Sequence, residues 1–203
     1  MTVRVFLASR NAKKLAEMER ILEPLVPDVA VVGLDDVDGY DEPVEDGATF
    51  ADNALIKARA GLAATGLPAV ADDSGLCVDA LNGMPGVLSA RWSGKPKSDE
   101  RNNTLLLEQL EDVPDERRTA HFTAAVAFCA PGVELVVEGR MDGAVIREQR
   151  GSGGFGYDVL FVPEEHAEEG RTAAELDVAE KDAISHRGRA LRAIAPQVSA
   201  SLR

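Results

Sequence analysis

The first seventy residues alternate between short apolar segments rich in β-branched side chains and longer segments with helical periodicity. Residues 3–8, 29–34 and 67–70 have the composition of buried strands, and residues 13–25 carry apolar side chains at a spacing of three and four. Thr49 is a suitable N-cap for a second helix that ends near residue 66. Strands that alternate with helices at these lengths predict an α/β fold with a central mixed sheet flanked by helices.

The remainder of the chain predicts an antiparallel extension of the same sheet. Ser98 is expected to cap a helix, and Pro131-Gly132 is expected to join strands at residues 119–130 and 134–146. A further strand is predicted at residues 157–162 and a helix after Asp177, which Gly188 is expected to interrupt. We therefore expect a single domain of two lobes over residues 1–203.

The charge of the chain limits its partners. The formal net charge is −13, which repels nucleic acid and requires any phosphate site to be locally basic. Cys77 and Cys129 each lie in an apolar stretch without a CxxC partner, which fits a cytoplasmic location. No apolar run approaches the roughly 20 residues that a transmembrane helix needs, and the N-terminus does not resemble a signal peptide.

Two adjacent carboxylates, Asp72 and Asp73, follow the apolar segment at residues 67–70. Residues 71–76 are expected to form a turn, with Gly75 permitting its close path. Carboxylates at the end of a strand are costly to bury unless a positive charge compensates them, and a hard divalent cation with a polyphosphate would do so. One of the two aspartates could activate water. The alternative is a turn in which Asp72 or Ser74 caps the backbone locally.

A basic segment and an acidic loop are candidates for the rest of such a site. Lys13 and Lys14 lie where the first strand passes into a helix, at an end where the helix dipole disfavours lysine but favours a phosphate. Glu45 lies in an acidic loop at residues 35–47. Asn53 and Lys57 share one face of the following helix. The alternatives are a solvated lysine pair, a solvated loop and an ordinary amphipathic helix. No P-loop is present.

The glycine-rich segment at residues 151–158 contains a formal GxGxxG match. A dinucleotide site is rejected because the following residues resemble a strand rather than a helix. The two aromatic side chains of the segment suit a wall against which a base stacks, and a tight loop between strands is the alternative. Lys181, His186 and Arg187 then form a basic cluster that would suit a nucleotide, or a solvated surface.

Taken in order, these segments resemble the inosine triphosphate pyrophosphatase family over essentially the whole chain. The matching stretches are LASRNAKK (residues 7–14), TFADNALIKA (49–58), ADDSGL (71–76), GMPGVLSAR (83–91), GFGYD (154–158) and SHR (185–187). The resemblance implies a homodimeric α/β enzyme with its active site in a cleft between two lobes. It also implies Mg²⁺-dependent hydrolysis of ITP, dITP and XTP to the monophosphate and pyrophosphate.

The resemblance assigns roles by motif. Asp73 would be the general base and a metal ligand, and Glu45 a second metal ligand. The residues expected to hold the polyphosphate are Ser9, Arg10, Asn11, Ala12, Lys13, Lys14 and Ser74. Those expected to hold the base and sugar are Phe155, Gly156, Tyr157, Asp158, Lys181, His186 and Arg187. Lys13, Lys14 and Lys57 would stabilise the charge that develops on the leaving group.

Two residues depart from the family pattern. Asp52 stands where the family usually has Glu, so a contact made there is expected to need a water molecule. Arg10 stands where a small residue is common, and it either adds charge near the phosphates or points outwards. Two other functions stay open: a pyrophosphatase acting on dTTP, UTP or modified pyrimidines, and a nucleotide sensor without turnover.

Overall fold

A computed structural model describes residues 2–10, 12–37 and 40–202, except for the side chain of Lys13. Six strands form one sheet in the order β2-β1-β3-β4-β5-β6. The strands are β1 Val3–Leu7, β2 Val29–Val32, β3 Ala69–Val78, β4 Thr119–Ala130, β5 Val133–Val145 and β6 Phe161–Pro163. The helices are α1 Ala12–Leu22, α2 Phe50–Thr65, α3 Asp99–Gln109, α4 Val178–Ile184 and α5 His186–Ser201. None of the described helices has the length and apolar character needed to cross a membrane.

The sheet is mixed, as predicted. Strand β1 pairs in parallel with β2, where Val3 faces Val29, and also with β3, where Leu7 faces Val70. Strands β5 and β6 are antiparallel. The predicted turn at Pro131-Gly132 joins β4 to β5, and Gly132 has a φ of 75°, which glycine adopts without steric cost.

The chain divides into two compact units. The first consists of Met1–Asp73, Ala124–Gly139 and Arg189–Arg203, and the second of Ser74–Thr123 and Arg140–Gly188. In the first unit, β1 and α1 contribute apolar side chains to a core that also includes Phe128 and Ile194. Met18 and Leu22 of α1 are buried there, which confirms the apolar face predicted from their spacing.

The second unit has a core of its own, which includes Leu76, Leu106, Phe161 and Met141. Arg118 is buried beside it, with 2% of the residue exposed. Its guanidinium donates hydrogen bonds to the carbonyl oxygens of Leu110, Val145 and Ile146. Arg118 thereby satisfies backbone acceptors at the end of α3 and beyond β5 that would otherwise be unpaired.

Three predictions about the chain path were wrong. Helix α1 ends at Leu22, so Leu25 is exposed rather than part of its buried face. Residues 158–160 form a turn of 3₁₀ helix and only Phe161–Pro163 is a strand. Helix α5 continues through Gly188, and the chain breaks one turn earlier at Ser185, whose hydroxyl accepts a hydrogen bond from Gly188 N–H at 3.1 Å. A glycine lowers helix propensity, but packing of a buried face overrides that preference.

Candidate active site

Asp72 and Asp73 lie inside a strand, not in the predicted turn. Strand β3 runs without interruption from Ala69 to Val78. Gly75 is required there for close packing: a Cβ atom at this position would lie 2.5 Å from the carbonyl oxygen of Gly86 and closer still to Ser89 Oγ. The strand continues past the aspartates because its later residues are buried in the core of the second unit.

Asp73 is held by two side chains of helix α2. Asn53 Nδ2 donates to Asp73 Oδ2 at 3.0 Å, and Lys57 Nζ lies 3.5 Å from Oδ1. Only 14% of the Asp73 side chain is exposed. Burial raises the pKa of Asp73 above its ordinary value, and Glu45 adds to this, while Lys57 and Asn53 oppose it. Asp73 is thus an oriented carboxylate with increased basicity.

Asn53 connects Asp73 to the acidic loop. It is buried, with 1% of the residue exposed, and its Oδ1 accepts a hydrogen bond from Gly47 N–H at 2.9 Å. Gly47 must be glycine for this approach, since a Cβ atom there would lie 2.7 Å from Asn53 Oδ1. The side-chain amide of Asn53 therefore forms two hydrogen bonds. Its oxygen accepts from the loop, and its nitrogen donates to the carboxylate of Asp73.

Glu45 reaches the same place from the acidic loop. Lys57 Nζ lies 3.1 Å from Glu45 Oε1, so one ammonium group is flanked by the carboxylates of Glu45 and Asp73. The loop has a second attachment at Tyr40, five residues before Glu45. The ring of Tyr40 packs against Phe6 of β1 with centroids 5.4 Å apart. Burial, Glu42 and Glu45 raise the pKa of the Tyr40 hydroxyl, which places it among these carboxylates.

Lys14 forms the second ion pair of this region. Its Nζ lies 3.0 Å from Asp72 Oδ1 and 2.9 Å from Oδ2. Lys14 belongs to the first turn of α1, which begins at Ala12 directly after β1 and the Ser9-Arg10 segment. The strand-to-helix junction predicted for a phosphate site is therefore present. Asn11 and the side chain of Lys13 lie outside the described residues.

The structure also accounts for the two departures from the family pattern. Asp52 forms a capping box with Thr49: its Oδ2 accepts from Thr49 N at 3.0 Å, and Thr49 Oγ1 accepts from Asp52 N at 3.1 Å. These contacts are direct. Arg10 is exposed and pairs with Glu42 and, at 3.4 Å, with Asp35, so two carboxylates already balance its charge.

The second unit contains the other predicted group. Phe155 is exposed over 62% of its surface, and two cations lie over its ring: Lys181 Nζ at 5.5 Å and Arg187 Cζ at 5.9 Å from the centroid. Asp158 holds Phe155 and Lys181 in place. Its Oδ2 accepts hydrogen bonds from Phe155 N–H at 2.8 Å and from Lys181 Nζ. An exposed aromatic ring beside two cations suits a planar, electron-rich base.

Other residues predicted for this group have structural contacts. The Tyr157 hydroxyl donates to Ser89 O at 2.9 Å, and burial raises the pKa of that hydroxyl well above its usual range. The imidazole of His186 stacks on Phe122 at 5.0 Å between centroids. Ser74 follows Asp73 in β3 and is half-buried. These contacts fix the local packing and leave the predicted binding roles untested.

Sequence analysis gave Asp72 as an alternative to Asp73 and placed Asn53 and Lys57 on one helix face, but it identified no contact partner for any of the three. A signal for Asn53 and Lys57 was present, since both interrupt the stripe of small buried residues Ala54, Ala58 and Gly61 on α2. Polar groups in a buried stripe need partners, and here the partner is Asp73.

The carboxylates of this region can be compared with the ligands that a magnesium ion prefers. Within the described residues no group of three or more His, Cys, Asp and Glu side chains is arranged to hold a metal. Glu45 and Asp73 nevertheless converge on one cation, the ammonium of Lys57. Mg²⁺ is commonly bound by one or two carboxylates together with substrate phosphates and water, so this pair fits a metal that arrives with a polyphosphate.

An α/β protein with a buried, amide-oriented carboxylate and two lysine–carboxylate clusters beside a strand-to-helix junction has the groups required for phosphoanhydride chemistry. A family model described as the Ham1 family matches residues 5–197. The chain belongs to the Ham1 family.

Individual relatives agree with this assignment. A dITP/XTP pyrophosphatase of Nocardia farcinica is 62% identical over 199 residues, covering 97% of this chain and 95% of the relative. A crystal structure titled nucleoside-triphosphatase / dITP/XTP pyrophosphatase from Mycobacterium abscessus is 57% identical with a TM-score of 0.80, covering 96% and 100% of the two chains. A HAM1 protein of Coxiella burnetii is 40% identical with a TM-score of 0.88, covering 98% and 100%.

Proposed function

We propose that this protein hydrolyses deaminated purine nucleoside triphosphates (ITP, dITP and XTP) to the nucleoside monophosphate and pyrophosphate. The observation that carries the proposal is Asp73, a buried carboxylate oriented by Asn53 and flanked by Lys57 and Glu45. The relatives named above as dITP/XTP pyrophosphatases, which cover nearly the whole chain, support the choice of substrate.

In the proposed reaction, Asp73 takes a proton from a water molecule whose oxygen attacks the α-phosphorus. The new bond joins the water oxygen to the α-phosphorus, and the bond to the oxygen that bridges the α- and β-phosphorus atoms breaks. Pyrophosphate leaves with that oxygen. The hydrogen bond from Asn53 fixes the direction of the Asp73 lone pairs.

Lys14 and Lys57 would stabilise the negative charge that grows on the leaving pyrophosphate. Asp72 holds the Lys14 ammonium through both carboxylate oxygens, and Glu45 with Asp73 holds that of Lys57. Both ammonium groups are therefore held beside carboxylates before substrate binds, and each would have to turn from its carboxylate partner to the phosphates.

We further propose that Glu45 and Asp73 bind Mg²⁺. When bound, this ion would neutralise phosphate oxygens and lower the cost of placing a polyanion beside acidic side chains. Titration of a non-hydrolysable ITP analogue with and without Mg²⁺ tests the assignment. We expect Glu45→Gln to weaken the Mg²⁺ dependence of binding, and an unchanged dependence would contradict it.

The proposed function is tested by a pyrophosphate-release panel over ITP, XTP, dITP, GTP, ATP, UTP and dTTP. We expect the deaminated purines to be the preferred substrates and pyrophosphate to be the product. Asp73→Asn should lower kcat by several orders of magnitude while binding of the nucleotide survives, because the amide cannot accept the proton. Near wild-type turnover of Asp73→Asn would remove Asp73 from this role.

The panel also separates the other readings of the sequence. Preference for UTP or dTTP would indicate a pyrimidine nucleotide pyrophosphatase. Tight binding of ITP without Mg²⁺-dependent hydrolysis would indicate a sensor, although crowded carboxylates beside phosphates are of little use to a protein that only binds.

We also propose a cytoplasmic homodimer that binds neither nucleic acid nor membranes. The net charge of −13 disfavours binding to polyanions, and the two cysteines are free thiols, which suits a reducing compartment. Sedimentation equilibrium at micromolar concentration should give twice the mass of the chain, and a monomer there would contradict the proposed dimer.

A further inference from the structure

Helix α3 binds both backbone polar groups of one residue in the glycine-rich loop, Gly156. The N–H of Gly156 donates to Asp99 Oδ2 at 2.7 Å, and the C=O of Gly156 accepts from Asn103 Nδ2 at 2.9 Å. Asp99 and Asn103 are four residues apart and thus share one face of α3. The sequence analysis gave neither residue a role.

Helix α3 is well anchored for this purpose. Ser98 caps its first turn by accepting from Arg101 N–H at 3.2 Å, and Leu106 and Leu110 are buried in the core of the second unit. Asn103 is itself buried, with 3% of the residue exposed. The backbone of Gly156 is therefore attached to a helix whose other face is buried.

Asn103 reduces the stability of the fold at this buried position. Its Oδ1 atom is buried and has no hydrogen-bond partner among the described residues, whereas its Nδ2 atom is used by Gly156. An unsatisfied buried acceptor costs about 1–3 kcal/mol. Packing alone would favour an apolar side chain at this position. The hydrogen bond from Asn103 to Gly156 in the loop therefore explains why a polar residue is buried there.

The loop needs this support because of its backbone. Gly154 and Gly156 have φ values of 73° and 61°, and a glycine segment has many accessible conformations to lose. Phe155 lies between them with its ring largely exposed, and the cations over the ring belong to the long side chains of Lys181 and Arg187. Asp158 fixes the N–H of Phe155, and α3 fixes the next peptide group.

We propose that Asp99 and Asn103 are positioning residues for the purine base: they hold the backbone N–H and C=O of Gly156 so that the ring of Phe155 is presented for stacking. The inference rests on the proposed function and deepens it. A preorganised stacking surface improves binding of the base and does not touch the triphosphate. The two residues should therefore affect KM for a nucleotide and leave kcat and the binding of base-free polyphosphate unchanged.

The test compares Asp99→Ala, Asp99→Asn and Asn103→Ala with wild type. Asn at position 99 keeps an oxygen that can accept from Gly156 N–H, so it should restore the wild-type behaviour. Glu100→Ala is the matched control, because Glu100 is an exposed acid on the same turn of α3 and its loss changes the charge and helix dipole equally. Steady-state pyrophosphate release from ITP gives KM and kcat, and inorganic triphosphate as a competitive inhibitor gives the base-free affinity.

We expect Asp99→Ala and Asn103→Ala each to raise KM for ITP about tenfold, as for loss of one hydrogen bond, with kcat within about twofold. Asp99→Asn and Glu100→Ala should match wild type, and the inhibition constant of triphosphate should be the same throughout. An unchanged KM in Asp99→Ala, an equal effect of Glu100→Ala, or a parallel loss of triphosphate affinity would each overturn the inference.

Failure of the proposed function has a different signature. If the wild type releases no pyrophosphate from any nucleotide in the panel, the proposed function fails. Binding of IMP, measured by calorimetry, then tests the positioning role without turnover. A weaker IMP affinity in Asp99→Ala but not in Glu100→Ala would support it, and equal affinities would contradict it. Asp99 is exposed, so the variant should fold, and a melting curve checks this.

Discussion

Replacing Asn53 by alanine should separate the orientation of Asp73 from the stability of the fold. The substitution removes the donor to Asp73 Oδ2 and the acceptor for Gly47 N–H, both near 3 Å. A hydrogen bond to an ionised group contributes about 1.5–3 kcal/mol, and an unpaired buried N–H costs about 1–3 kcal/mol. Taking the lower end of each range, we expect a loss of about 2.5 kcal/mol in the free energy of unfolding.

The effect on turnover should be larger than the effect on binding. Asp73 keeps Lys57 as a partner but loses the amide that fixes its plane, and a displacement of about 1 Å can cost about 100-fold in rate. We therefore expect kcat for ITP to fall about 100-fold, with KM changed much less. Pyrophosphate release at a temperature far below unfolding measures the rate, and urea unfolding measures stability.

Arg118→Met is the matched control for destabilisation. Arg118 is about as deeply buried as Asn53, and Arg118→Met removes three hydrogen bonds to backbone carbonyls, so the loss of stability should be at least as large. It has no role in the proposed chemistry, and its kcat should stay near wild type. If both variants lose stability and turnover alike, or if Asn53→Ala keeps full turnover, the orienting role of Asn53 is refuted.

Three further predictions follow from the contacts of single residues. Gly75→Ala should destabilise the protein by about 2 kcal/mol or more in urea, because its Cβ would overlap backbone and side-chain atoms; an unchanged midpoint would contradict this packing. Arg187 lies over the Phe155 ring, so we propose that it donates to the 6-oxo group of a stacked base, and Arg187→Met should then reduce the kcat/KM preference for ITP over ATP; an unchanged ratio would mean that another group, such as a backbone N–H, reads this position. Burial and Arg140 lower the pKa of His121, so the unfolded chain takes up the proton first and stability should fall as pH drops below about 6.5. His121→Gln should flatten that decline, and an identical pH dependence of urea midpoints would contradict it.

The helix starts were predictable because their determinants are local. Thr49, Ser98 and Asp177 each accept a hydrogen bond from an N–H three residues ahead, as their sequence patterns indicate. The end of α2 was predictable for a similar local reason. Gly66 adopts the left-handed conformation there, and its N–H donates to Leu62 O. Such contacts span four residues and do not depend on how the rest of the chain is arranged.

The conformation of Asp72 and Asp73 could not be predicted in this way. Asp, Ser and Gly favour turns when their local preferences decide, and here they occupy a ten-residue strand. Strand pairing and the burial of Leu76 and Val78 decide instead, and both depend on distant parts of the chain. Gly75 was noticed correctly but for the wrong reason: it provides space beside Ser89 rather than a turn.

In the candidate site, too, local sequence patterns were informative and contacts between distant residues were not predictable. The motifs made Asp73, Glu45 and the segment ending at Lys14 candidates for the site, but motifs do not indicate which side chains contact each other. Asn53 meets Asp73 across 20 positions of sequence, and Asn103 meets Gly156 across 53. These contacts depend on the angle at which a helix packs, which a single sequence without a structure does not determine.

The pairing of charges explains why this site would need a cation in addition to its lysines. Leaving aside Lys13, three basic side chains, Arg10, Lys14 and Lys57, face five carboxylates, those of Asp35, Glu42, Glu45, Asp72 and Asp73. The region is thus negative before a polyanionic triphosphate enters. If lysines alone bound the phosphates, they would have to leave partners at about 3 Å, and each vacated carboxylate would then repel the ligand. A triphosphate that arrives with a divalent cation avoids this conflict, because the cation satisfies the carboxylates while the lysines turn to the phosphates. The acidic residues around Asp73 therefore argue for a metal–nucleotide complex as the ligand and against the free nucleotide.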